Sequence, residues 1–346
     1  MQGELDEMRA KIDTRKASKA SDKVKTEMQK KIEELGKHNH HWTPSQAAYE
    51  QWDGPHHRHR MRPHTHMQWH FTIDVDWVPG CQVGLESLLD FCDRWKLKTT
   101  IFFAGRFAEA YPDLVRDCWR RGHELGTHGW EHGSIEKDED FRSASYAQQR
   151  EWIRMATEAV EKASGIRPVV FRVPNLWIGE TTLRALEDEG YRCDSSVPAR
   201  RFDCGFGRVH YLKYFRAPSE PYRLSSNHLR LPGNSSIIEI APSAFLFPTN
   251  MATLRALGLP VMKWMIRQIS RRSSQIVFYC HPHEFVHSHR QSFPRNMSKW
   301  NTQSMRPENL LLLAAFVEHM MQLGYSPRLF SDLFSQSLDA NYAGAR

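Results

Sequence analysis

From residue 69 onward the chain alternates between two hydrophobic periods, one typical of strands and one typical of helices. The runs His70–Asp74 and Thr99–Phe103 are short and rich in apolar, β-branched and aromatic residues, which predicts buried strands. The apolar positions between them recur at helical spacing, at Leu85, Leu88, Leu89, Cys92 and Trp95. A strand, a helix and a second strand in this order predict a parallel crossover.

The same alternation continues almost to the end of the chain. Further helices are predicted at Phe107–Arg121, Tyr146–Ser164, Thr181–Glu189, Met262–Arg271 and Asn309–Gln322. One further strand is predicted to end at Thr127. Others are predicted at Val169–Val173, Tyr191–Ser195 and Gln275–His281. The less regular region 199–250 is expected to carry insertions and substrate loops. Repeated strand–helix units indicate an α/β fold whose parallel sheet is either closed as a barrel or open and doubly wound.

The first 68 residues have a different pattern. In residues 1–40, charged side chains surround apolar positions three or four apart, which predicts a solvated helical extension or a partly disordered tail. A protein partner that binds this helix is the alternative. Residues 41–68 are rich in His and Pro without periodicity and are predicted to be a linker, with weak metal binding as the alternative. A catalytic domain is expected at residues 69–335 and a tail at 336–346.

Composition excludes several classes of protein. Apolar residues make up 40% of the chain and charged residues 25%, which is typical of globular proteins. The net charge of +7 is not gathered into a basic stripe, so no nucleic-acid partner is expected. The six cysteines form no C-x-x-C pair, and no apolar run approaches the roughly 20 residues that span a bilayer. With no signal core at the N-terminus either, a cytoplasmic protein without a transmembrane segment is predicted.

Reactive side chains follow four of the predicted strands. They are Asp74, Asp76, His128, His132, Arg172 and His281. Parallel α/β folds place their reactive groups at this end of the strands. Two imidazoles and one carboxylate can hold a catalytic zinc or related ion and leave positions open for water and substrate. A second carboxylate could take a proton from the activated water, and a histidine could give one to a leaving amine.

These motifs resemble those of the NodB-homology polysaccharide deacetylases, carbohydrate esterase family 4, over residues 69–335. The matching segments are Thr72-Ile-Asp-Val-Asp76, His128-Gly-Trp-Glu-His132, Arg172-Val-Pro-Asn175 and Tyr279-Cys-His281. The resemblance implies a distorted or incomplete seven-stranded TIM-like barrel. It is strongest to a bacterial subgroup associated with exopolysaccharide or surface-glycan synthesis.

The resemblance also implies a role for each matching residue. Asp74 would be the general base, His281 the general acid, and Asp76, His128 and His132 the metal ligands. Arg172 would orient the base, Asp194 would be the acidic partner of that arginine, and Asn175 would help to hold the oxyanion. The implied cofactor is a divalent ion, zinc first, with cobalt, nickel, manganese and iron as alternatives. Because Val75 separates aspartates that are adjacent in the family, which of the two is base and which is ligand stays open.

Two nearby features have alternative interpretations. Trp130, between the two histidine ligands, is predicted to wall the cleft, with ordinary packing as the alternative. His283, Glu284, His287 and His289 follow His281 closely. A second metal site is conceivable there, and a polar loop beside the first site is the preferred interpretation.

The leading hypothesis is a divalent-metal-dependent hydrolase that removes N-acetyl groups from an amino sugar of a glycan or glycan precursor. One alternative is a deformylase or other amide hydrolase that acts on a lipid-linked amino sugar or a small amide. The other is a non-catalytic glycan-binding or scaffold protein.

Overall fold

The structure is a computed structural model that describes residues 67–133, 139–202, 209–226, 228–287 and 304–333. The predicted extension at 1–40, nearly all of the predicted linker at 41–68 and the tail at 336–346 lie outside these ranges. Within them, no helix combines the length and the apolar character needed to cross a membrane.

One sheet contains most strands of the described residues. In chain order the strands are β1 (Gln68–Val75), β2 (Thr100–Phe103), β3 (Glu124–Thr127), β4 (Val170–Phe171), β5 (Cys193–Asp194), β6 (Tyr222–Arg223), β7 (Ile238–Glu239), β8 (Ala244–Phe245), β9 (Phe247–Pro248), β10 (Gln275–Cys280) and β11 (Ser326–Pro327). The main sheet runs in the order β10-β1-β2-β3-β4-β5-β7-β6, and β11 pairs with the start of β1.

Neighbouring strands are parallel from β10 through to β7, and only β6 at the edge is antiparallel. The strands β10, β1, β2, β3, β4, β5 and β7 therefore form a seven-stranded parallel sheet, which curls into a half-barrel. The expectation of an incomplete (β/α) barrel is confirmed. The open, doubly wound alternative is wrong.

The helices of the described residues are α1 (Cys81–Trp95), α2 (Gly105–Ala110), α3 (Pro112–Arg120), α4 (Tyr146–Ser164), α5 (Thr182–Asp188), α6 (Met251–Ile269) and α7 (Asn309–Gln322). The prediction of a single helix at Phe107–Arg121 is wrong, because the helix is interrupted at Tyr111 and two helices form. Pro112 lacks the N–H needed to continue a helix and instead begins a new one.

Helix α6 begins eleven residues before the predicted start at Met262. Asn250 caps it, since its side chain accepts a hydrogen bond from the backbone N–H of Thr253 at 2.8 Å. Gly258, with φ of 76°, and Pro260 then kink the helix. These two residues interrupt the apolar periodicity, and for that reason the first half is hard to recognise in the sequence.

Strand β1 separates the apolar core from the site. Its apolar side chains Trp69 and Phe71 pack towards α7 and β10, with ring centroids of Trp69 and Phe316 6.0 Å apart and those of Phe71 and Phe278 6.1 Å apart. Because side chains alternate along a strand, Thr72 and Asp74 point to the opposite face. Both are buried there, and both accept hydrogen bonds from Arg172.

Candidate active site

Three candidate metal ligands converge beyond the ends of β1 and β3. A carboxylate oxygen of Asp76 lies 3.7 Å from Nε2 of His128 and 3.7 Å from Nε2 of His132. All three side chains are buried. Within the described residues, theirs is the one group of three or more acidic, cysteine or histidine side chains close enough to share an ion.

This donor set fits a divalent ion. Two atoms that each lie about 2.1 Å from one tetrahedral ion are separated by about 3.4 Å, close to the distances between these side chains. The Nδ1 atom of His128 is 2.7 Å from the backbone carbonyl of Arg172, to which it donates, and Nε2 is therefore the ring's lone-pair nitrogen. Burial lowers the pKa of His128 to about 3, which keeps the ring in the neutral form that binds metals.

The loop between the two histidines is held by Glu139. Its carboxylate accepts hydrogen bonds from the backbone N–H of Trp130 at 2.9 Å and from that of Glu131 at 3.1 Å. A further backbone bond, from Trp77 to the carbonyl of His132 at 2.7 Å, ties the end of this loop to the residue after Asp76. The ligands are therefore fixed through the main chain as well as through packing.

A buried ion pair lies beside the metal ligands. The Arg172 guanidinium donates to Oδ1 of Asp74 at 2.7 Å and to Oγ1 of Thr72 at 2.8 Å, and it also bonds the carbonyl and hydroxyl of Ser195. Burial by itself would raise the pKa of Asp74, but the adjacent Arg172 outweighs it and holds that pKa below its usual value. Asp74 is thus an ionised carboxylate with a fixed orientation.

His281 faces the second oxygen of Asp74. The distance from its Nε2 to Oδ2 of Asp74 is 4.0 Å. Burial opposes protonation of the ring, but Asp76, Glu284 and Asp74 together raise the pKa of His281 to about 9. The group that the sequence proposes as the acid therefore carries a proton at neutral pH in the protein without a bound ion.

Asp194 lies one strand further along the sheet, opposite Glu239 of β7. It accepts a hydrogen bond from Ser196, while the hydrogen bonds of Arg172 go to Thr72, Asp74 and Ser195. Burial raises the pKa of Asp194 to about 6 and raises that of Glu239 further, so this carboxyl pair retains a proton near neutral pH. The structure thus places Asp194 behind Ser195 and not in hydrogen-bonding contact with the guanidinium.

The two predicted substrate-side residues have unlike surroundings. Asn175 lies in a short 3-10 turn after β4 and has φ of 55°, a left-handed conformation that Asn adopts more readily than most residues. Trp130 packs so closely on Gly105 that a Cβ there would meet its ring at 2.3 Å. Arg106 lies over the same ring at 5.5 Å, so packing against the start of α2 accounts for at least one face of Trp130.

Three residues beside the site make contacts that the sequence did not predict. Glu284 bonds His281, Arg255 of α6 bonds Glu284, and Nδ1 of His283 lies 3.7 Å from Oδ2 of Asp76. The His-Pro-His-Glu run is the available signal for His283 and Glu284; it predicts a polar loop beside the first metal site but no contact partner for either residue. Arg255 had no signal, because it belongs to the unrecognised half of α6.

Residues 62–193 match the family model for polysaccharide deacetylase. This segment of the chain is therefore similar to polysaccharide deacetylases. The matched segment includes the metal-ligand candidates, Asp74 and Arg172, and it ends before His281. The match agrees with the expectation of a polysaccharide deacetylase-like hydrolase over these residues.

The curated relatives are distant. A peptidoglycan deacetylase-like protein of Gibberella zeae is 28% identical over 178 residues, which are 48% of this chain and 50% of the relative. A peptidoglycan-N-acetylglucosamine deacetylase of Bacillus cereus is 26% identical over 106 residues, 30% of this chain and 36% of the relative. The chain thus spans half or less of the length of these relatives.

Among solved structures, the carbohydrate esterase family 4 domain of a multidomain xylanase from the hindgut metagenome of Trinervitermes trinervoides is similar at 14% identity. The alignment covers 79% of this chain and 91% of that domain, with a TM-score of 0.44.

Proposed function

We propose that the protein is a divalent-metal-dependent hydrolase that removes an N-acetyl group from an amino sugar of a glycan or glycan precursor. One observation supports this more than any other. The Asp76, His128 and His132 cluster lies beside a second carboxylate, Asp74, that is bonded to a buried arginine and faces a histidine. Metal-dependent amide hydrolysis uses these three components: a metal site, a base and an acid.

We assign the ion to Asp76, His128 and His132. Two imidazoles and a carboxylate suit zinc, with cobalt, nickel, manganese and iron as alternatives. A divalent ion held there would acidify a water and polarise the amide carbonyl. The contacts of Asp76 with both imidazoles favour it as the ligand and leave Asp74 as the base.

The other residues would move protons and orient groups. Asp74, kept ionised by Arg172, would take a proton from the attacking water. His281 would give a proton to the departing sugar nitrogen as its bond to the acetyl carbon breaks. Asn175 would contribute a donor to the developing oxyanion, and Trp130 would line the substrate cleft.

This chemistry and the comparisons together support a substrate class. The relatives named above are described as peptidoglycan deacetylases or similar proteins, and the sequences of the motifs resemble the subgroup associated with exopolysaccharide or surface glycans. We therefore propose an N-acetylated hexosamine within a glycan or its precursor.

The test is metal-dependent release of acetate. Purified protein is stripped with a chelator, its metal content is measured, and acetate release from N-acetylated chito-oligosaccharides and peptidoglycan fragments is followed before and after addition of zinc or cobalt. Activity should disappear with the metal and return with it. His128→Ala should lose both the metal and the activity, whereas His123→Gln, at a buried histidine outside the site, should retain both. Full activity in protein shown to be metal-free would contradict the proposal.

A further inference from the structure

The loop after β10 folds back so that a carboxylate contacts the catalytic histidine candidate. A short 3-10 helix at Pro282–Phe285 brings Glu284 under His281. Its Oε2 accepts a hydrogen bond from the backbone N–H of His281 at 2.8 Å and lies 3.4 Å from the ring Nδ1. The second distance is long for a hydrogen bond, and such contacts commonly shorten when substrate binds.

The other side of this carboxylate is held from a distant part of the chain. Arg255 of α6 donates to Oε1 of Glu284 at 2.7 Å, and the side chains of both residues are 3% exposed. Asn309, at the start of α7, donates to the backbone carbonyl of Glu284 at 2.8 Å. Burial by itself would raise the pKa of Glu284, but Arg255 and His281 lower it to about 2. Glu284 is therefore an ionised carboxylate that cannot rotate freely.

The imidazole of His281 consequently lies between two carboxylates on opposite edges. Glu284 faces Nδ1, and Asp74 faces Nε2 across the cleft. An imidazole edge that donates to a fixed carboxylate defines both the tautomer and the ring orientation, since the alternative ring flip would break that contact. The only ring nitrogen left for substrate is Nε2.

We propose that Glu284, clamped by Arg255, is the positioning residue of His281: it binds Nδ1–H so that Nε2–H points at the leaving nitrogen. The inference rests on the proposed deacetylase function. It gives the acid a partner in the loop after β10, and α6 holds that partner in place.

The proton transfer balances without a further reactant. The doubly protonated ring gives its Nε2 proton to the sugar nitrogen as the bond between nitrogen and the acetyl carbon breaks, and the bonding electron pair stays on nitrogen. The ring becomes neutral and keeps Nδ1–H on Glu284, which remains ionised. Acetate and the free amine are the products.

The difference between amide and ester leaving groups distinguishes a positioning role of Glu284 from a purely structural one. An amine cannot leave without a proton, whereas the phenolate of 4-nitrophenyl acetate leaves unaided. Glu284→Gln cannot satisfy both neighbours, because one face of an amide offers oxygen and the other offers N–H. In the metal-loaded enzyme, this variant should lower kcat for the N-acetyl sugar by roughly 10- to 100-fold with little change in KM, and lower ester hydrolysis by less than about threefold.

Three further variants separate positioning from folding. Glu284→Asp keeps the charge and should recover part of the amide activity. Arg255→Lys should show the same amide-selective loss in milder form, and it replaces Glu284→Gln if that protein does not fold. Asn309→Ala weakens the loop without touching the carboxylate, so amide and ester rates should change by equal factors. Metal content and circular dichroism are measured for each protein.

Equal losses of amide and ester hydrolysis in Glu284→Gln, or in Arg255→Lys, with metal retained, would overturn the positioning role and leave the proposed function intact. A metal-loaded wild-type protein that releases no acetate from any N-acetylated glycan would overturn the proposed function, and this inference with it.

Discussion

Replacing Arg172 by methionine tests the energetic logic of the buried ion pair. The guanidinium is fully buried and bonds Thr72, Asp74 and Ser195. Its loss leaves the carboxylate of Asp74 buried, with the ring of His281 4.0 Å away in place of a hydrogen-bonded guanidinium. Breaking a buried pair on one side costs about 3–5 kcal/mol, a large part of the roughly 5–15 kcal/mol that stabilises a typical domain.

The measurement is a double-mutant cycle with Asp74→Asn. Removing the second charge also removes the cost of leaving the first charge buried and unpaired. The loss of unfolding free energy in the double variant should therefore be smaller than the sum of the two single losses by about 2–3 kcal/mol. The four proteins are unfolded in urea with a chelator present, since a bound metal would add its own stabilisation.

An exposed pair provides the control. Glu151 and Arg154 are 2.8 Å apart with side chains 51% and 44% exposed, and the same cycle there should give a coupling below about 1 kcal/mol. If the effects at Asp74 and Arg172 add within about 0.5 kcal/mol, the two charges do not stabilise each other and the argument fails.

Three other substitutions have defined outcomes. Gly84→Ala should lower kcat even though alanine favours helix. Its Cβ would lie 2.0 Å from the carbonyl oxygen of Pro282 and would displace the loop that carries the proposed acid. Unchanged kinetics would refute this close packing. Burial lowers the pKa of His70 to about 4, so the folded state does not bind a proton that the unfolded chain binds below pH 6.5. The free energy of unfolding should therefore fall by about 2 kcal/mol as the pH is lowered from 7 to 5. A His70→Gln protein with the same pH slope in urea unfolding would contradict this. Ser145→Ala removes the cap of α4, where the side chain accepts from the backbone N–H of Gln148 at 3.3 Å, and should cost about 1 kcal/mol in the same assay, with no loss of kcat.

The fold was largely predictable because the longer parallel strands have a clear apolar pattern in the sequence. Strands β1, β2 and β10 are apolar and bounded by helices with clear periodicity, so both their existence and their parallel arrangement could be predicted from the sequence. Strand β5 lies inside the predicted strand Tyr191–Ser195, but β5 and β7 have only two residues each, and no sequence window of that length fixes the bounds of a strand. Their places in the sheet depend on pairing with neighbours that are distant in the chain.

The candidate site was predictable to the extent that it follows strand ends. Asp76, His128 and His281 each come directly after such an end or within a few residues of it, and the structure brings them together. The contact between Arg255 and Glu284 could not be inferred in this way. It joins a kinked helix to a loop 29 residues later in the chain. Neither segment has a periodic pattern that predicts a contact between the two side chains.

The hydrogen bond that orients His128 has an evolutionary consequence. The acceptor is the backbone carbonyl of residue 172, whereas the base is oriented by the side chain of the same residue. A substitution at this position removes the support of Asp74 and leaves the main-chain acceptor of His128 in place. A single codon change at this position would therefore separate the proposed metal binding from the proposed catalysis, because the variant would lose the support of its base and keep the orientation of His128.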